Sequence, residues 1–287
     1  MHRTGSLSAA ARSSGQTQPT IARHIAQLED GLGGGALFVR SPQGLTPTET
    51  ADALLPHALA MEASAAAMVR AASAGQDELR GVVRITASDV VSVEVLPPIL
   101  AALQSAYPGL DFELVASNQT ADLLRRDADI AVRMVRPAQS ALVAVKVGDI
   151  PIGAFARRDY LERRGMPDRT GDISGHALIG YDHETISVQA LRQLGLNLTR
   201  DMFALRTDSD LAQLAAIRAG FGIGLCQVGL ARRDPQLVRL FADELRYPLP
   251  TWITMHEDLR GIRRMRLVFD HLAEALRTYV RESAAPA

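Results

Sequence analysis

The stretch Leu7-Ser8-Ala9-Ala10-Ala11-Arg12-Ser13-Ser14-Gly15-Gln16-Thr17-Gln18-Pro19-Thr20-Ile21-Ala22-Arg23-His24-Ile25-Ala26-Gln27-Leu28 holds two short helical patterns joined by a turn. Ser6 precedes the first helix, whose body is Leu7 to Arg12, and its hydroxyl is placed to accept a free N–H of the opening turn. Ser13-Ser14-Gly15 makes the turn, and Thr17 or Gln18 starts the second helix. Pro19 falls in the first turn of that helix, where its missing N–H costs little. Ile21, Ile25 and Leu28 share one face at i, i+4, i+7 spacing. Pro19, Ala22, Arg23 and Ala26 share the other, with Thr20 and Gln27 on its flank. The pattern describes either an ordinary helical hairpin or a helix-turn-helix whose small and polar outer face enters the major groove of DNA.

Working outward, Phe38-Val39-Arg40-Ser41-Pro42-Gln43-Gly44-Leu45-Thr46 reads as a small hairpin with Arg40 and Gln43 at its tip. A hairpin after a recognition helix is a wing that reaches phosphates or the minor groove. A long helix follows. Thr46 as N-cap, Pro47 in the first helical position and Glu49 three residues after the cap predict a capping box. Ala51, Ala58, Ala65 and Ala72 then occupy one heptad position, and Leu54, Met61 and Met68 the other. Such a repeat predicts a coiled-coil seam between two copies, with Ala51, Leu54, Ala58, Met61, Ala65 and Met68 on it. The other reading is an alanine-rich helix packed on its own domain. Pro56 should bend the axis.

Gly75-Gln76-Asp77 and Gly81 mark the next boundary, which gives segments 1–47, 48–74 and 81–287. The last alternates strand-like and helix-like runs, as in an α/β domain with parallel strands. Strands are predicted at 81–87, 111–116, 128–133 and 202–206, with helices at 120–125 and 211–219. Ligands of such sheets bind beyond the carboxyl ends of strands, near helix N-termini. Ser88, Ser117, Asn118, Thr207 and Asp208 stand at such places. Ser88, Asn118 and Thr207 either cap helices or line one cleft. Hydroxyl and amide donors at helix N-termini suit a small carboxylate. Asp89 and Asp208 add negative charge nearby, so a ligand with both an acid and a donor group fits best.

Composition excludes several classes. The 287 residues are 47% hydrophobic and 22% charged, enough for a sizeable core. A formal net charge of -1 rules out a uniformly basic coat, and Lys146 is the one lysine among 31 basic residues. A single cysteine, Cys226, excludes an internal disulfide and a CxxC motif. No signal peptide and no 18-residue apolar run is found, so a cytoplasmic chain is expected. His256-Glu257-Asp258-Leu259-Arg260 lacks the second histidine of an HExxH zinc site. Gly220, Gly222 and Gly224 follow a helix and precede a strand, the reverse of a dinucleotide fingerprint. No catalytic constellation, metal site or cofactor is predicted.

In their order along the chain, Gly5-Ser6-Leu7-Ser8-Ala9-Ala10-Ala11, Gln18 to Ile25, Leu28-Glu29, Leu37-Phe38 and Gly44-Leu45-Thr46-Pro47-Thr48-Glu49 resemble the LysR-type transcriptional regulators. So do Ala128-Asp129-Ile130-Ala131-Val132-Arg133, Ala219 to Gly224, and the late strand with Trp252 and His256. The resemblance implies a winged helix-turn-helix at 1–47, a linker helix at 48–74, and a two-lobed periplasmic-binding-protein-like effector domain. Its first lobe would be about 81–150 and 255–281, its second about 151–254. Gln18, Pro19, Thr20 and Arg23 would face DNA, with Arg40 and Gln43 on the wing. Ser88, Ser117 and Asn118 would line the first lobe's share of the cleft, and Thr207 and Asp208 the second's. The implied function is a non-enzymatic transcriptional regulator that senses a small molecule. Its partners would be double-stranded DNA, the effector, further copies of itself as dimer and tetramer, and RNA polymerase. The other class, a binding protein or enzyme that uses the two-lobed fold without DNA, would not need the wing and linker motifs. Three features depart from the family pattern. Only three residues precede Thr4-Gly5-Ser6, where the family has a full helix, Gly33-Gly34-Gly35-Ala36 is one residue longer than the usual connection, and Ala22 replaces a frequent serine. A mis-set start codon or a chain shortened at its N-terminus would account for the first.

Overall fold

The computed structural model describes residues 1–41, 44–72, 79–118, 128–137, 141–167, 173, 175–183, 188–189, 192, 198–245 and 247–285. Gln43, the Gly75-Gln76-Asp77 boundary and the helix expected at 120–125 lie outside them. The chain forms two compact units, one built on Met1–Met68 and the other on Val69 onward.

In the smaller unit α1 spans Leu7–Ser14 and α2 spans Gln18–Gly31. The Ser6 hydroxyl accepts from the Ala9 N–H at 3.2 Å, which starts α1 as its sequence predicts. Gly15 ends α1 in the left-handed region at φ 66°, where a side chain would be strained. The wing is an antiparallel pair, β1 (Phe38–Ser41) with β2 (Gly44–Pro47). The long helix α3 spans Glu49–Ala72. Its cap is Thr48, whose hydroxyl accepts from the Ala51 N–H at 3.3 Å, and not Thr46. Thr46 and Pro47 pair with Val39 and Phe38 in the hairpin, so neither is available to start the helix. The core of this unit is small: Ala10, Ala11, Leu37 and Ala51 are buried, and α2 has no buried residue.

The larger unit is built on a seven-stranded mixed sheet. β3 (Gly81–Ala87) lies parallel between β4 (Leu110–Ala116) and β5 (Ile130–Arg133). β6 (Leu142–Arg157), β9 (Gly224–Gln227), β10 (Leu237–Leu240) and β11 (Tyr247–His256) are joined by antiparallel pairing. Within this sheet the expectation of parallel strands therefore holds for β3, β4 and β5 alone. β6 and β11 run side by side from Leu142–His256 to Ile152–Tyr247 and so pass through both lobes. A register shift interrupts them between Thr251 and Trp252, opposite Gly148. Gly148 has φ +140°, and a Cβ there would lie 2.8 Å from Val280 Cγ1.

In the first lobe, β3 leads into a π-turn, Val91–Val95, and then α4, Leu96–Ala106. In the second lobe, α5 (Arg158–Arg164) follows β6, and β7 (Leu178–Gly180) pairs parallel with β8 (Phe203–Arg206). There α6 (Asp210–Arg218) and α7 (Val228–Ala231) flank β9. The last helix, α8 (Arg263–Ala284), buries Met265, Val268, Phe269, Leu272 and Leu276 at helical spacing. These join Val83, Ile85, Leu96, Leu103 and Ile130 in the main core. Full burial of one such side chain is worth about 1.5–3 kcal/mol. A second cluster, including Tyr160, Leu178, Phe203 and Leu240, holds the outer part of the second lobe. No helix among the described residues is long and apolar enough to cross a membrane.

Candidate functional site

Two surfaces are built from the residues singled out above. The first is α2 with the wing. Gln18, Pro19 and Arg23 are exposed on the first half of α2, and Thr20 is half-buried. The Ser8 hydroxyl donates to Gln18 Oε1 at 3.1 Å, and the Thr17 and Thr20 hydroxyls share a hydrogen bond of 2.8 Å. Arg40 is exposed on β1 opposite Leu45, one residue short of the place expected at the tip. The Glu29 carboxylate accepts from the Leu37 N–H at 2.7 Å and ties the end of α2 to the start of the wing. On α3, Ala51 is buried and Leu54 half-buried, while Ala58, Met61, Ala65 and Met68 are exposed. Met61 and Met68 keep 74% and 73% of their surface and form an exposed apolar seam.

The second surface is a cavity of about 420 Å³ in the larger unit. Strand ends supply its polar groups, because each strand leaves its last residues at the sheet edge. Ser88 follows β3, Ser117 and Asn118 follow β4, Arg133 ends β5, Tyr181 follows β7, and Asp208 follows β8. Asp210 opens α6. Val90, Met134, Ile152, Leu214, Leu225, Leu230, Tyr247 and Leu249 supply apolar wall. The size and the mixed lining suit a small organic molecule.

Four of the five residues expected at the cleft, Ser88, Ser117, Asn118 and Asp208, line this cavity. Thr207 is absent from the lining. Its N–H donates to the Gly180 carbonyl at 2.9 Å, its hydroxyl accepts from the Ser209 N–H at 3.2 Å, and α6 is capped by Ser209 instead. The Asn118 amide donates to the Asp89 carboxylate at 3.1 Å.

The cavity holds charges of both signs. Arg133 is 3% exposed, and its Nη2 donates to the Thr86 hydroxyl at 2.8 Å. Asp210 accepts from the Tyr181 hydroxyl at 2.7 Å. Burial pushes its carboxyl above the ordinary carboxylate range, the Tyr181 bond works against that, and the Asp89 charge adds to it. Asp208 accepts from the N–H groups of Asp182 and His183, each at 3.0 Å, and lies 2.6 Å from His183 Nδ1. That hydrogen bond and the charges of Asp208 and Asp182 raise the His183 pKa. The hydrogen bonds from the His183 ring and from the His183 and Asp182 N–H groups lower the Asp208 pKa. Cys226 also lines the cavity, with its thiol pushed up to about 12 by burial, so it carries no thiolate near neutral pH.

Arg133, Tyr181, Asp210 and Tyr247 were missed from sequence. Arg133 had a usable signal, since it ends a predicted strand as Ala87 and Ala116 do. Tyr181 had none, because β7 is three residues long and no strand is expected there. Among the described residues no group of His, Cys, Asp and Glu is arranged to hold a metal ion.

Comparison with known proteins agrees with this division. Residues 1–52 match the family described as bacterial regulatory helix-turn-helix protein, lysR family, and residues 76–277 match the LysR substrate binding domain. The Mau operon transcriptional activator of Paracoccus denitrificans is 35% identical over 150 residues, 52% of each chain. A probable HTH-type transcriptional regulator, LtrA of Klebsiella pneumoniae, is 24% identical over 99% of this chain and 94% of its own length. The chain spans about half the length of the first two curated relatives it matches, 52% and 50%. Among solved structures, the virulence activator AphB of Vibrio cholerae has a TM-score of 0.62 at 23% identity, covering 95% of this chain and 94% of that one. CrgA of Neisseria meningitidis has a TM-score of 0.61 at 23% identity with the same coverage. At these identities the two structures speak for the fold alone.

Proposed function

We infer the function from the premise that the chain belongs to the LysR-type family of bacterial transcriptional regulators. In this reading it binds double-stranded DNA through α2 and the wing, and binds a small-molecule effector in the cavity of the larger unit. Gln18, Pro19, Thr20 and Arg23 lie against the major groove, with Arg40 and Gln43 on the phosphates beside it. Residues 1–60 carry four arginines and four carboxylates, so phosphate attraction per copy is modest. Specific binding then needs more than one copy. Ala58, Met61, Ala65 and Met68 of α3 supply the seam for a dimer, and dimers pair into a tetramer. Such a regulator works in the cytoplasm, and the effector's influence reaches RNA polymerase through the DNA-bound assembly.

The observation that carries the sensing role is the cavity, where Ser88, Ser117, Asn118, Arg133, Asp208 and Asp210 converge from the ends of β3, β4, β5 and β8 and the start of α6. Arg133 supplies a positive charge for an acid group, and Asp208 and Asp210 supply acceptors for a donor. The ligand class is a small carboxylate that also carries a hydrogen-bond donor, on a mainly apolar body. Thr207 contributes to the turn that sets Asp208 in place.

The test is a thermal-shift screen of small carboxylates, with and without an amino or hydroxyl group, on the full chain. A ligand that raises the unfolding temperature of the native protein and not of Ser88→Ala supports the assignment. Equal stabilisation of both places the ligand elsewhere.

A further inference from the structure

A row of three residues crosses the wall of the cavity. Tyr247 on β11 pairs with Ile152 on β6, and Ile152 pairs on its other side with Gln227, the last residue of β9. Directly paired residues of antiparallel strands point to one face of a sheet, and all three line the cavity. Leu249 and Leu225 stand two positions away on the same strands, share that face and line it too. Gln227 is therefore a polar side chain in an apolar wall, and it is 5% exposed. An amide buried to that degree needs partners for both of its ends.

One end is met from α8. The Tyr279 hydroxyl donates to Gln227 Oε1 at 2.7 Å. Tyr279 is itself buried and held on several sides. The Ser283 hydroxyl donates to its carbonyl at 2.7 Å, and the Arg233 guanidinium lies 5.6 Å from the centre of its ring. On α7, a Cβ at Gly229 would lie 2.9 Å from Tyr279 Cε2, so the glycine lets the ring come close. Burial pushes the phenol up to about 12, and it stays a donor at neutral pH. Gln227 Nε2, the other end, has no hydrogen-bond partner among the described residues. With the oxygen taken by Tyr279, what the amide has left to offer is its two N–H donors.

We propose that Gln227 is the neutral donor of the effector site: Tyr279 holds its oxygen and so turns its NH2 group to the cavity, where it binds an acceptor oxygen of the effector. Gln227 touches the ligand, and Tyr279 is a positioning residue that acts through it. The proposal rests on the reading of the cavity as the effector site and adds a feature to the ligand. Arg133, which supplies charge for an acid group, ends β5, and β11 and β6 lie between that strand and β9. Three strand spacings across the sheet are roughly 14 Å. The acid group and the second acceptor therefore belong at opposite ends of an apolar body. An amide brings no charge, and Asp208 and Asp210 line the same cavity, so that acceptor is neutral: a ketone, ester or amide oxygen rather than a second carboxylate.

The experiment compares two probes of nearly one shape on the full chain, 4-acetylbenzoate and 4-isopropylbenzoate. The second carries a methyl group where the first has its ketone oxygen. The methyl signal of Met134, which lines the cavity, reports occupancy, and the Gln227 side-chain amide signal reports engagement of the donor. Both probes should move Met134. The ketone should bind about tenfold tighter, near the upper worth of one hydrogen bond, and it alone should shift the Gln227 NH2 signal. Gln227→Met and Tyr279→Phe should each bring the two affinities together, and the double variant should bring them no closer, because both changes remove one interaction. The double variant also removes the phenol that Gln227→Met leaves buried without a partner, so it keeps the test open if that single variant fails to fold. A purely structural Tyr279 would lower the unfolding temperature in Tyr279→Phe and leave the affinity ratio at its native value, which overturns the positioning role. Equal affinities in the native chain, or an unmoved Gln227 signal while Met134 moves, would overturn the donor and leave the cavity reading standing. If neither probe moves Met134, the cavity reading fails and the donor falls with it.

Discussion

Asn118 holds Asp89 from two directions: its Nδ2 donates to Asp89 Oδ2 at 3.1 Å, and its Oδ1 accepts from the Asp89 N–H at 3.0 Å. The two residues follow neighbouring parallel strands, β4 and β3, so the contact closes the sheet edge beneath the cavity. Asn118 therefore both satisfies a helix-start N–H and fixes where the Asp89 charge lies. Asn118→Ala should cost about 0.5–2 kcal/mol, the ordinary worth of a cap. It should also weaken any ligand held in the cavity. Thermal unfolding with and without ligand measures both. Loss of stability with unaltered ligand binding would leave Asn118 a cap only.

His183 and Asp208 make the contact most open to titration. The His183 pKa lies above its ordinary 6.5, so its charge is present below that value and lost as pH rises through the raised one. The Asp208 pKa lies below its ordinary 3.8, so its charge is lost as pH falls through the lowered one. The ion pair thus holds from the depressed Asp208 value to the elevated His183 value. Proton NMR should give a His183 midpoint above 6.5 that returns toward it in Asp208→Asn. An unmoved midpoint in that variant would mean that Asp208 does not control the charge.

The seam on α3 predicts its own test. Ala65 is exposed between Met61 and Met68, and alanine there lets a second helix approach closely. A bulky side chain should overpack the contact by about 1–3 kcal/mol. Sedimentation of Ala65→Trp should show fewer dimers than the native chain, with the circular dichroism of the larger unit unchanged. Native dimer content in that variant would move the contact to another face.

Much of this was legible in the sequence. Ser6, Gly15 and Pro19 carry their meaning locally, because a cap, a left-handed turn and a first-turn proline depend only on neighbours. The misplacements have one cause, tertiary pairing. Thr46 looks like the cap of α3, yet the hairpin claims it through its pairing with Val39, and Thr48 takes the role. Thr207 looks like the cap of α6, yet its N–H extends the β7–β8 contact to Gly180, and Ser209 takes over. The run Leu142–Arg157 contains Gly148 and Pro151, which argue locally against a strand, and its pairing with β11 overrides them. The Gln227–Tyr279 pair joins residues 52 apart, which no local spacing reveals. The cleft was readable where residues stood at strand ends, as Ser88 and Asn118 do, and hidden where the strand itself was too short to see, as before Tyr181.

Arg23 and Arg40 should matter differently on DNA. A base-reading arginine is worth about 1–3 kcal/mol and relaxes specificity when removed. A phosphate contact weakens binding across all sequences alike. Mobility-shift titrations on the promoter and on unrelated DNA should show Arg23→Ala narrowing the gap between the two, and Arg40→Ala lowering both. Native discrimination in Arg23→Ala would mean that α2 is not the recognition helix.

The central claim is that one chain couples a small molecule in its cavity to its grip on DNA. The most direct measurement is the affinity of the full chain for its own promoter, with and without a cavity ligand found by thermal shift, in the native protein and in Ser88→Ala. The account predicts that the ligand shifts native affinity or DNA bending, and that Ser88→Ala binds the promoter normally but no longer responds. A ligand that fills the cavity and leaves DNA binding and bending unchanged in the native chain would contradict it.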